Sequence, residues 1–271
     1  MPPKLLAFDL DGTLLTTDKR LTAANRDALE DMVRTGAVVA LASGRLRSSM
    51  MKVASQLAIT PAMLTLNGAA VYTSTDLDAE PVHTVDLPLA YARELLDYAH
   101  GQPFALNFYR DDSLYSVRNA ATGPWVDLYV NQTSSEYTFV DSLAELHGTQ
   151  PEKIIFVGEP SVLDEQEKHF RARWDTEIYI VRTWDYYLEF LHRDANKGTG
   201  IKALANAFGI ALADVAAFGD SHNDIPMLQV AGHGIAMANA TAEAKAAAGL
   251  VSPWTNDQDA IAREWERLCK D

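Results

Sequence analysis

Short apolar runs alternate with amphipathic segments in the first part of the chain. Continuous apolar runs at Lys4–Leu10, Ala37–Gly44 and Ala62–Ala69 are typical of buried strands. The segments between them, Leu21–Gly36 and Arg47–Ala58, have the apolar spacing of helices. Strands that are apolar on both faces and alternate with helices indicate a parallel sheet covered by helices.

The first predicted helix has signals at both ends. Thr22 is a candidate N-cap, and Gly36 is placed to end the helix. Leu29, Met32 and Val33 supply its predicted apolar face.

The pattern changes after about Val82 and returns at about Asn196. The segment between them contains an alternating run with a polar turn at Asp111–Ser113, as a hairpin would, and further strands separated by a charged helix. We therefore expect an α/β fold in which a Rossmann-like, doubly wound parallel sheet is interrupted by an inserted domain. The predicted domains are a discontinuous α/β core of residues 1–82 and 190–271 and an inserted α+β cap domain of residues 83–189.

Composition narrows the class of protein. The 271 residues carry a formal net charge of −14, which argues against binding to nucleic acid or to an anionic membrane. The single cysteine, Cys269, cannot form an internal disulfide, and the N-terminus lacks the apolar run of a secretory signal. No apolar stretch approaches the length that spans a bilayer. We expect a cytoplasmic protein.

Polar residues stand where the predicted strands end. Asp9 and Asp11 follow the first strand, Ser43, Gly44 and Arg45 the second, Asn67 the third, and Asp220 the later strand "DVAAFGD". Lys197 opens a helix, and Asn223 and Asp224 come soon after Asp220. Because ligands of parallel α/β sheets bind outside the carboxyl ends of the strands, we expect these residues to form one cluster.

The chemistry of this cluster suits phosphoryl transfer. Asp9, Asp11, Asp220 and Asp224 are hard oxygen ligands that would repel one another without a cation, and Mg²⁺ suits such a site. Ser43, Lys197 and the amides of Gly12 and Gly44 are donors that can hold phosphoryl oxygens. A carboxylate beside an anion pocket can attack phosphorus.

Four segments in this order, "DLDGTLL", "ASGR", "NKG" and "GDSHNDIPML", resemble the signature motifs of the haloacid dehalogenase superfamily of phosphatases. The long insertion between the second and third motifs is similar to the cap of the Cof-like branch. The resemblance implies an Mg²⁺-dependent phosphomonoester hydrolase of small metabolites such as sugar phosphates, with an aspartyl-phosphate intermediate. It also implies that the cap closes over the site and selects the substrate.

The resemblance also implies roles for individual residues. Asp9 would be the nucleophile and Asp11 the general acid/base. The implied phosphate-binding residues are Gly12, Thr13, Ser43, Gly44, Lys197 and Asn223. The implied metal site consists of Asp9, Asp11 through its backbone carbonyl, Asp220 and, supporting them from close by, Asp224. Two segments depart from the family pattern: "MANA" stands where "MGNA" is frequent, and "TNDQDAIA" lacks a Gly after the acidic residue.

Other assignments stay open. Arg45 and Asn67 are candidates for substrate contact or for loop structure, and Asn107 and Tyr109 are candidate substrate residues of the cap, although Tyr109 also fits a cap core. A phosphomutase or phosphotransferase would use the same intermediate, and a binding protein of this fold would not turn over. The expected partner is a small phosphate ester, and the sequence does not identify protein partners.

Overall fold

The computed structural model describes residues 2–133 and 135–270. These residues form two compact units, one running up to Thr84 and again from Asn196 onward, the other comprising Val85–Ala195. None of the helices in these residues is long and apolar enough to cross a bilayer.

Strands in the described ranges are numbered in chain order. They are β1 Leu5–Asp9, β2 Val38–Ala42, β3 Ala62–Thr65, β4 Ala70–Tyr72, β5 His83–Thr84, β6 Ala105–Arg110, β7 Ser113–Ser116, β8 Thr138–Phe139, β9 Lys153–Val157, β10 Ile178–Trp184, β11 Tyr187–His192, β12 Val215–Gly219, β13 His233–Ala236 and β14 Leu250–Val251.

The α-helices of the same ranges are numbered in the same way. They are α1 Ala23–Arg34, α2 Arg47–Ala54, α3 Leu89–Ala99, α4 Gly123–Thr133, α5 Pro160–Trp174, α6 Lys197–Ala207, α7 Ile225–Val230, α8 Ala242–Ala247 and α9 Ala260–Leu268.

The first unit contains an eight-stranded sheet in the order β14-β13-β12-β1-β2-β3-β4-β5. The strands from β14 to β3 are parallel, and β4 and β5 continue the sheet antiparallel. Alternate residues of β1 enter different cores: Leu6 and Phe8 pack with α1, α2 and α9, whereas Leu5 and Ala7 pack with α6 and α7. The α/β fold with a doubly wound parallel sheet is confirmed.

Helix α1 has the predicted ends but not the whole predicted face. The Thr22 side chain accepts a hydrogen bond from the Asn25 amide, and Gly36 adopts a left-handed φ of 90° just beyond the helix. The prediction that Val33 belongs to the apolar face is wrong, because its side chain is 38% exposed while Leu29 is fully buried. Asn25 is buried on that face instead, where its amide group donates to the Leu14 carbonyl and accepts from the Ala262 amide.

The second unit contains a six-stranded sheet in the order β10-β11-β9-β6-β7-β8. Its central pairings are antiparallel, whereas β7 and β8 pair in parallel. The polar turn between β6 and β7 has left-handed φ values at Asp111 and Asp112, 51° and 55°, as a type I′ hairpin requires. One face of the sheet packs against α3 and α5 through a cluster that includes Phe108 and Phe156.

The limits of the two units differ from the predicted residues 83–189. Strand β5 pairs with β4 and extends the sheet of the first unit. Strand β11 pairs with β10 up to His192 and with β9 up to Leu191, so the chain leaves the second unit only after this strand.

Candidate active site

The polar residues predicted to meet do follow the carboxyl ends of neighbouring strands. Asp9 is the last residue of β1, Ser43 follows β2 and Asp220 follows β12. Because β1 lies between β2 and β12, these three positions are adjacent at one edge of the sheet. Asp9 is only 6% exposed, so its carboxylate depends on protein groups or a ligand for compensation.

Lys197 provides that compensation. Helix α6 begins at Lys197 after the N-cap Asn196, whose side chain accepts from the Thr199 amide. The Lys197 Nζ atom is fully buried, 2.6 Å from Oδ1 of Asp9 and 2.6 Å from Oδ1 of Asp224. Burial alone would lower the pKa of Lys197, but the two carboxylates outweigh it and raise that pKa. The ammonium is therefore held in its charged form although a helix N-terminus disfavours a cation.

Three carboxylates converge beside this ammonium. One oxygen each from Asp9, Asp220 and Asp224 lies within 4.8 Å of the others. Burial raises the pKa of Asp9 well above its usual range, even though Lys197 opposes the shift, because Asp224 and Asp220 add repulsion. Burial, with repulsion from Asp224, likewise raises the pKa of Asp220 to about 7. These carboxylates carry more negative charge than Lys197 neutralises, and their oxygens are the donors Mg²⁺ prefers. The set fits a divalent cation.

Both oxygens of Asp224 are already engaged by protein groups. Oδ1 accepts from Lys197, and Oδ2 accepts from the backbone amides of Asp220 and Ser221 at 2.9 and 3.0 Å. These contacts fix the turn that follows β12. Asp224 is thus placed to orient Lys197 and the Asp220 loop.

The Asp11 carboxylate has different partners. Arg45 donates to it through Nε at 2.8 Å and Nη2 at 2.6 Å, and Lys19 Nζ lies 2.6 Å away. Burial alone would raise the pKa of Asp11, but Arg45 and Lys19 outweigh it and lower that pKa. The side chain of Asp11 is not among the three that converge in the described residues. The predicted contact of the Asp11 backbone carbonyl with the metal stays a prediction.

The turn after β1 brings Gly12 and Thr13 against Asp220. Gly12 has a left-handed φ of 87°, and a Cβ atom there would lie 2.5 Å from Oδ2 of Asp220. The buried Thr13 hydroxyl donates to Oδ1 of Asp220 at 3.0 Å. Thr13 therefore holds a carboxylate in this structure, where the resemblance implied a phosphate contact.

The loops after β2 and β3 are tied to each other and to the fourth motif. Ser43 is buried, and its hydroxyl accepts from the Arg45 amide at 3.3 Å. Asn67, with a left-handed φ of 59°, accepts through Oδ1 from Asn223 Nδ2 at 2.8 Å. A Cβ atom at Gly44 would come within 3.2 Å of the same Asn67 oxygen. The contact with Asn223 gives Asn67 a structural role in the loop. The Arg45 side chain instead contacts the Asp11 carboxylate.

Asn107 and Tyr109 lie on β6 of the second unit, and both are buried. The Tyr137 hydroxyl donates to Oδ1 of Asn107 at 2.9 Å, and the hydroxyl of Tyr109 is hydrogen-bonded to that of Tyr129. Their side chains point away from the α3 and α5 face, on which Phe108 lies. Their partners are tyrosines of the same unit, so this geometry favours the interpretation of Tyr109 as a core residue.

The chain matches the family model of the haloacid dehalogenase-like hydrolases over residues 6–264. The chain belongs to this family. The resemblance inferred from the four motifs is therefore confirmed.

Individual relatives of this haloacid dehalogenase-like hydrolase extend over nearly its whole length. Phosphatase YwpJ from Bacillus subtilis is 28% identical over 98% of this chain and 99% of its own. An HMP-PP phosphatase from Yersinia pseudotuberculosis is 30% identical over 89% of this chain and 86% of its own. Among solved structures, a haloacid dehalogenase-like hydrolase from Bacteroides thetaiotaomicron has a TM-score of 0.86 at 26% identity, covering 98% of this chain and 99% of that one.

Two residues at the site of this haloacid dehalogenase-like hydrolase escaped the sequence reasoning. Lys19 contacts Asp11, and Asn239 donates through Nδ2 to the Gly12 carbonyl at 2.8 Å. Asn239 follows the carboxyl end of β13, so the strand-end argument applied to "MANA" would have found it. Lys19 gives no such signal, because its approach to Asp11 depends on the fold of the loop after β1.

Proposed function

We propose that this chain is a phosphomonoester hydrolase of small phosphorylated metabolites that uses Mg²⁺ and forms an aspartyl-phosphate on Asp9. The observation that carries the proposal is the buried ammonium of Lys197 between Asp9 and Asp224, beside the convergent oxygen of Asp220. This arrangement pairs a nucleophilic carboxylate with positive charge where an anionic substrate must approach.

The first chemical step forms the covalent intermediate. A carboxylate oxygen of Asp9 attacks phosphorus, the ester P–O bond breaks, and the leaving oxygen takes a proton from Asp11. Lys197, the Ser43 hydroxyl and the backbone amides beside it hold the phosphoryl oxygens during the transfer.

The second step releases phosphate. Asp11 removes a proton from water while the water oxygen attacks phosphorus, and the P–O bond to Asp9 breaks to restore the carboxylate. Asp11 leaves the first step ionised because it has given its proton to the leaving oxygen, and Arg45 and Lys19 favour this form, which accepts the proton from water.

Asp9 and Asp220 would hold Mg²⁺, with Asp224 fixing the loop that presents Asp220. When bound, the ion supplies positive charge that stabilises the phosphoryl oxygens and favours the ionised carboxylates.

Support for the substrate class comes from the relatives. Two of them are named as phosphatases, and one is named for HMP-PP. We propose small phosphorylated metabolites as the class, with sugar phosphates and HMP-PP as the first compounds to test. A cytoplasmic location stays a prediction from the single cysteine.

The direct test is to trap the intermediate. The purified protein is mixed with Mg²⁺ and a ³²P-labelled ester, quenched in acid and digested. We expect label on the peptide that contains Asp9 and none in Asp9→Asn, while Asp18→Asn, an exposed aspartate of the same loop region, labels like the wild type. Label on another residue, or phosphate release by Asp9→Asn at the wild-type rate, would overturn the covalent mechanism.

A product analysis separates hydrolysis from transfer. Each ester of the panel is incubated with and without an acceptor sugar, and free phosphate and new sugar phosphate are both measured. We expect phosphate to account for the turnover in both mixtures. Transfer to the sugar as the main product would identify a phosphotransferase, and the absence of turnover with every ester would favour a binding protein.

A further inference from the structure

A cavity of about 380 Å³ lies in the first unit at the edge of the sheet opposite Asp9. Its lining includes Pro3 before β1, His233 at the start of β13 and Leu250 at the start of β14. These are the amino ends of parallel strands, whereas Asp9 and Asp220 follow carboxyl ends. The cavity is therefore separate from the proposed phosphatase site, and its volume is within the range of pockets that hold small metabolites.

Glu264 of α9 is the unusual residue in this lining. Its side chain is 1% exposed, and within the described residues its Oε1 atom has no hydrogen-bond partner. A carboxylate removed from water without a donor is costly, and a core position on a helix would be filled better by an apolar side chain. The Glu264 carboxylate is thus a buried acceptor in the wall of a cavity.

Arg267 stands one helical turn further on and also lines the cavity. Its Nη1 atom is 3.7 Å from Oε2 of Glu264, which is too long for a hydrogen bond. Across the described part of the chain, the Arg267 side chain makes no hydrogen bond. The two side chains therefore form an ion pair without a hydrogen bond, in which Arg267 is 40% exposed and Oε1 of Glu264 is left without a donor in the described residues.

The remaining wall combines the polar side chain of His233 with apolar side chains and glycines. Ile235, Leu250 and Leu268 contribute aliphatic groups, and glycines contribute backbone alone. A ligand that fits this wall carries a cationic donor for Glu264, an adjacent anionic acceptor for Arg267 and an aliphatic body. In an α-amino acid, the ammonium and carboxylate are attached to the same carbon, which matches the close spacing of Glu264 and Arg267.

We propose that this cavity binds a small zwitterion of the α-amino-acid class, with the ammonium on Glu264 and the carboxylate on Arg267. The proposal is independent of the phosphatase activity, because none of its residues belongs to the cluster around Asp9.

The test measures binding of L-leucine to the full chain by isothermal titration calorimetry. We expect saturable binding to the wild type. The dissociation constant of Glu264→Gln should be at least about tenfold higher, because a hydrogen bond to a charged group is lost. Glu266→Gln, an exposed glutamate of the same helix, should bind like the wild type. Absence of leucine binding at millimolar concentration, or equal affinity in Glu264→Gln, would overturn the proposal.

A ligand series on the wild type keeps the test valid even if a variant fails to fold. Isoamylamine retains the ammonium and the branched tail but lacks the carboxylate, and 4-methylpentanoate lacks the ammonium. We expect both to bind at least about tenfold more weakly than leucine, because each leaves one charge of the pair unsatisfied. Equal binding of all three compounds would mean that the cavity takes only the aliphatic tail and would contradict the assignment.

Discussion

The Nζ atom of Lys197 lies 2.6 Å from Oδ1 of Asp9, and both side chains are buried. The same ammonium contacts Asp224, so a single positive charge compensates two carboxylates in a region that excludes water. In the proposed mechanism stability and catalysis depend on the same contact, so substitutions in this cluster can be tested for both.

Lys197→Ala should destabilise the protein as well as inactivate it. Removing one partner of a buried ion pair leaves the other charge uncompensated, which costs about 3 to 5 kcal/mol in the free energy of unfolding. Urea denaturation measures this loss, and Lys202→Ala, at an exposed position of the same helix, is the control. Mg²⁺ should restore part of the stability of Lys197→Ala, because a cation replaces the missing charge. If Lys197→Ala were as stable as Lys202→Ala without Mg²⁺, the ion pair would not be a stabilising contact.

Asp11→Asn should slow turnover without weakening Mg²⁺ binding. The substitution removes the proton donor and acceptor of the proposed mechanism, an effect of about 10²- to 10⁴-fold in kcat. The Asp11 carboxylate contacts Arg45 and Lys19 and does not join the three convergent oxygens, so the affinity for the ion should change little. Steady-state kinetics and Mg²⁺ titration by calorimetry are the two measurements. A kcat close to the wild-type value would remove Asp11 from the mechanism.

Asp220→Asn, unlike Asp11→Asn, should weaken the binding of Mg²⁺. The amide is a neutral and weaker ligand, so the affinity for Mg²⁺ should fall by at least about tenfold. Activity should disappear in excess chelator and return with Mg²⁺, whereas Ca²⁺ should support it poorly because its coordination is larger and less regular. Asp214→Asn, at the partly exposed position paired with Lys4, is the matched control. Full activity of the wild type in chelator would exclude a metal requirement.

Gly12 and Gly36 allow backbone strain to be separated from a contact in the site. Both have a left-handed φ, 87° and 90°, but a Cβ atom at Gly36 meets no atom within 4 Å, whereas one at Gly12 lies 2.5 Å from Asp220. Each change to Ala should cost about 1 kcal/mol of stability through strain. Only Gly12→Ala should also lower kcat and the affinity for Mg²⁺, since Asp220 must move. Equal kinetics of the two variants would show that the Gly12 contact is not needed for the site.

Much of the site could be predicted from the sequence because ligands of parallel α/β sheets bind outside the carboxyl ends of the strands. Asp9, Ser43 and Asp220 each follow an apolar run, and the order of the sheet makes such positions neighbours. Contacts made by loops are different. Lys19 reaches Asp11 from a loop in which Lys19 itself has a left-handed φ of 63°, and no local sequence pattern predicts this conformation.

Elements that the sequence prediction left out or assigned wrongly have local causes. Helix α3 is absent from the elements predicted for the inserted segment, because it begins after Pro88, which provides no side-chain cap. Val33 was assigned wrongly because the buried face of α1 includes Asn25 and is centred on Leu29 and Met32. An asparagine is suitable at a buried position there because of its hydrogen bonds to Leu14 and Ala262. Such compensation depends on tertiary contacts and cannot be read from periodicity.

Glu152 should make the stability of the protein depend on pH. Burial, reinforced by repulsion from Asp86 against the opposing effect of Arg110, raises the pKa of Glu152 from 4.5 to about 7. Its Oε2 atom is buried and has no hydrogen-bond partner within the described residues. Asp111 and Asp112 of the nearby hairpin add further negative charge.

The sign of the effect follows from where the proton is held. Below pH 4.5 the carboxyl is protonated in both states, and its contribution to stability is fully present. As the pH rises to about 7 the unfolded chain loses the proton first, so the free energy of unfolding falls. Glu152→Gln should therefore be more stable than the wild type at pH 8 by about 1 to 3 kcal/mol, and the difference should shrink towards zero at pH 4.5. Urea denaturation at several pH values measures it, with Glu165→Gln at an exposed position of α5 as the control. Because all other titrating groups are common to the wild type and the variant, a difference that stayed constant from pH 4.5 to 8 would show that the Glu152 carboxyl does not titrate differently in the folded protein.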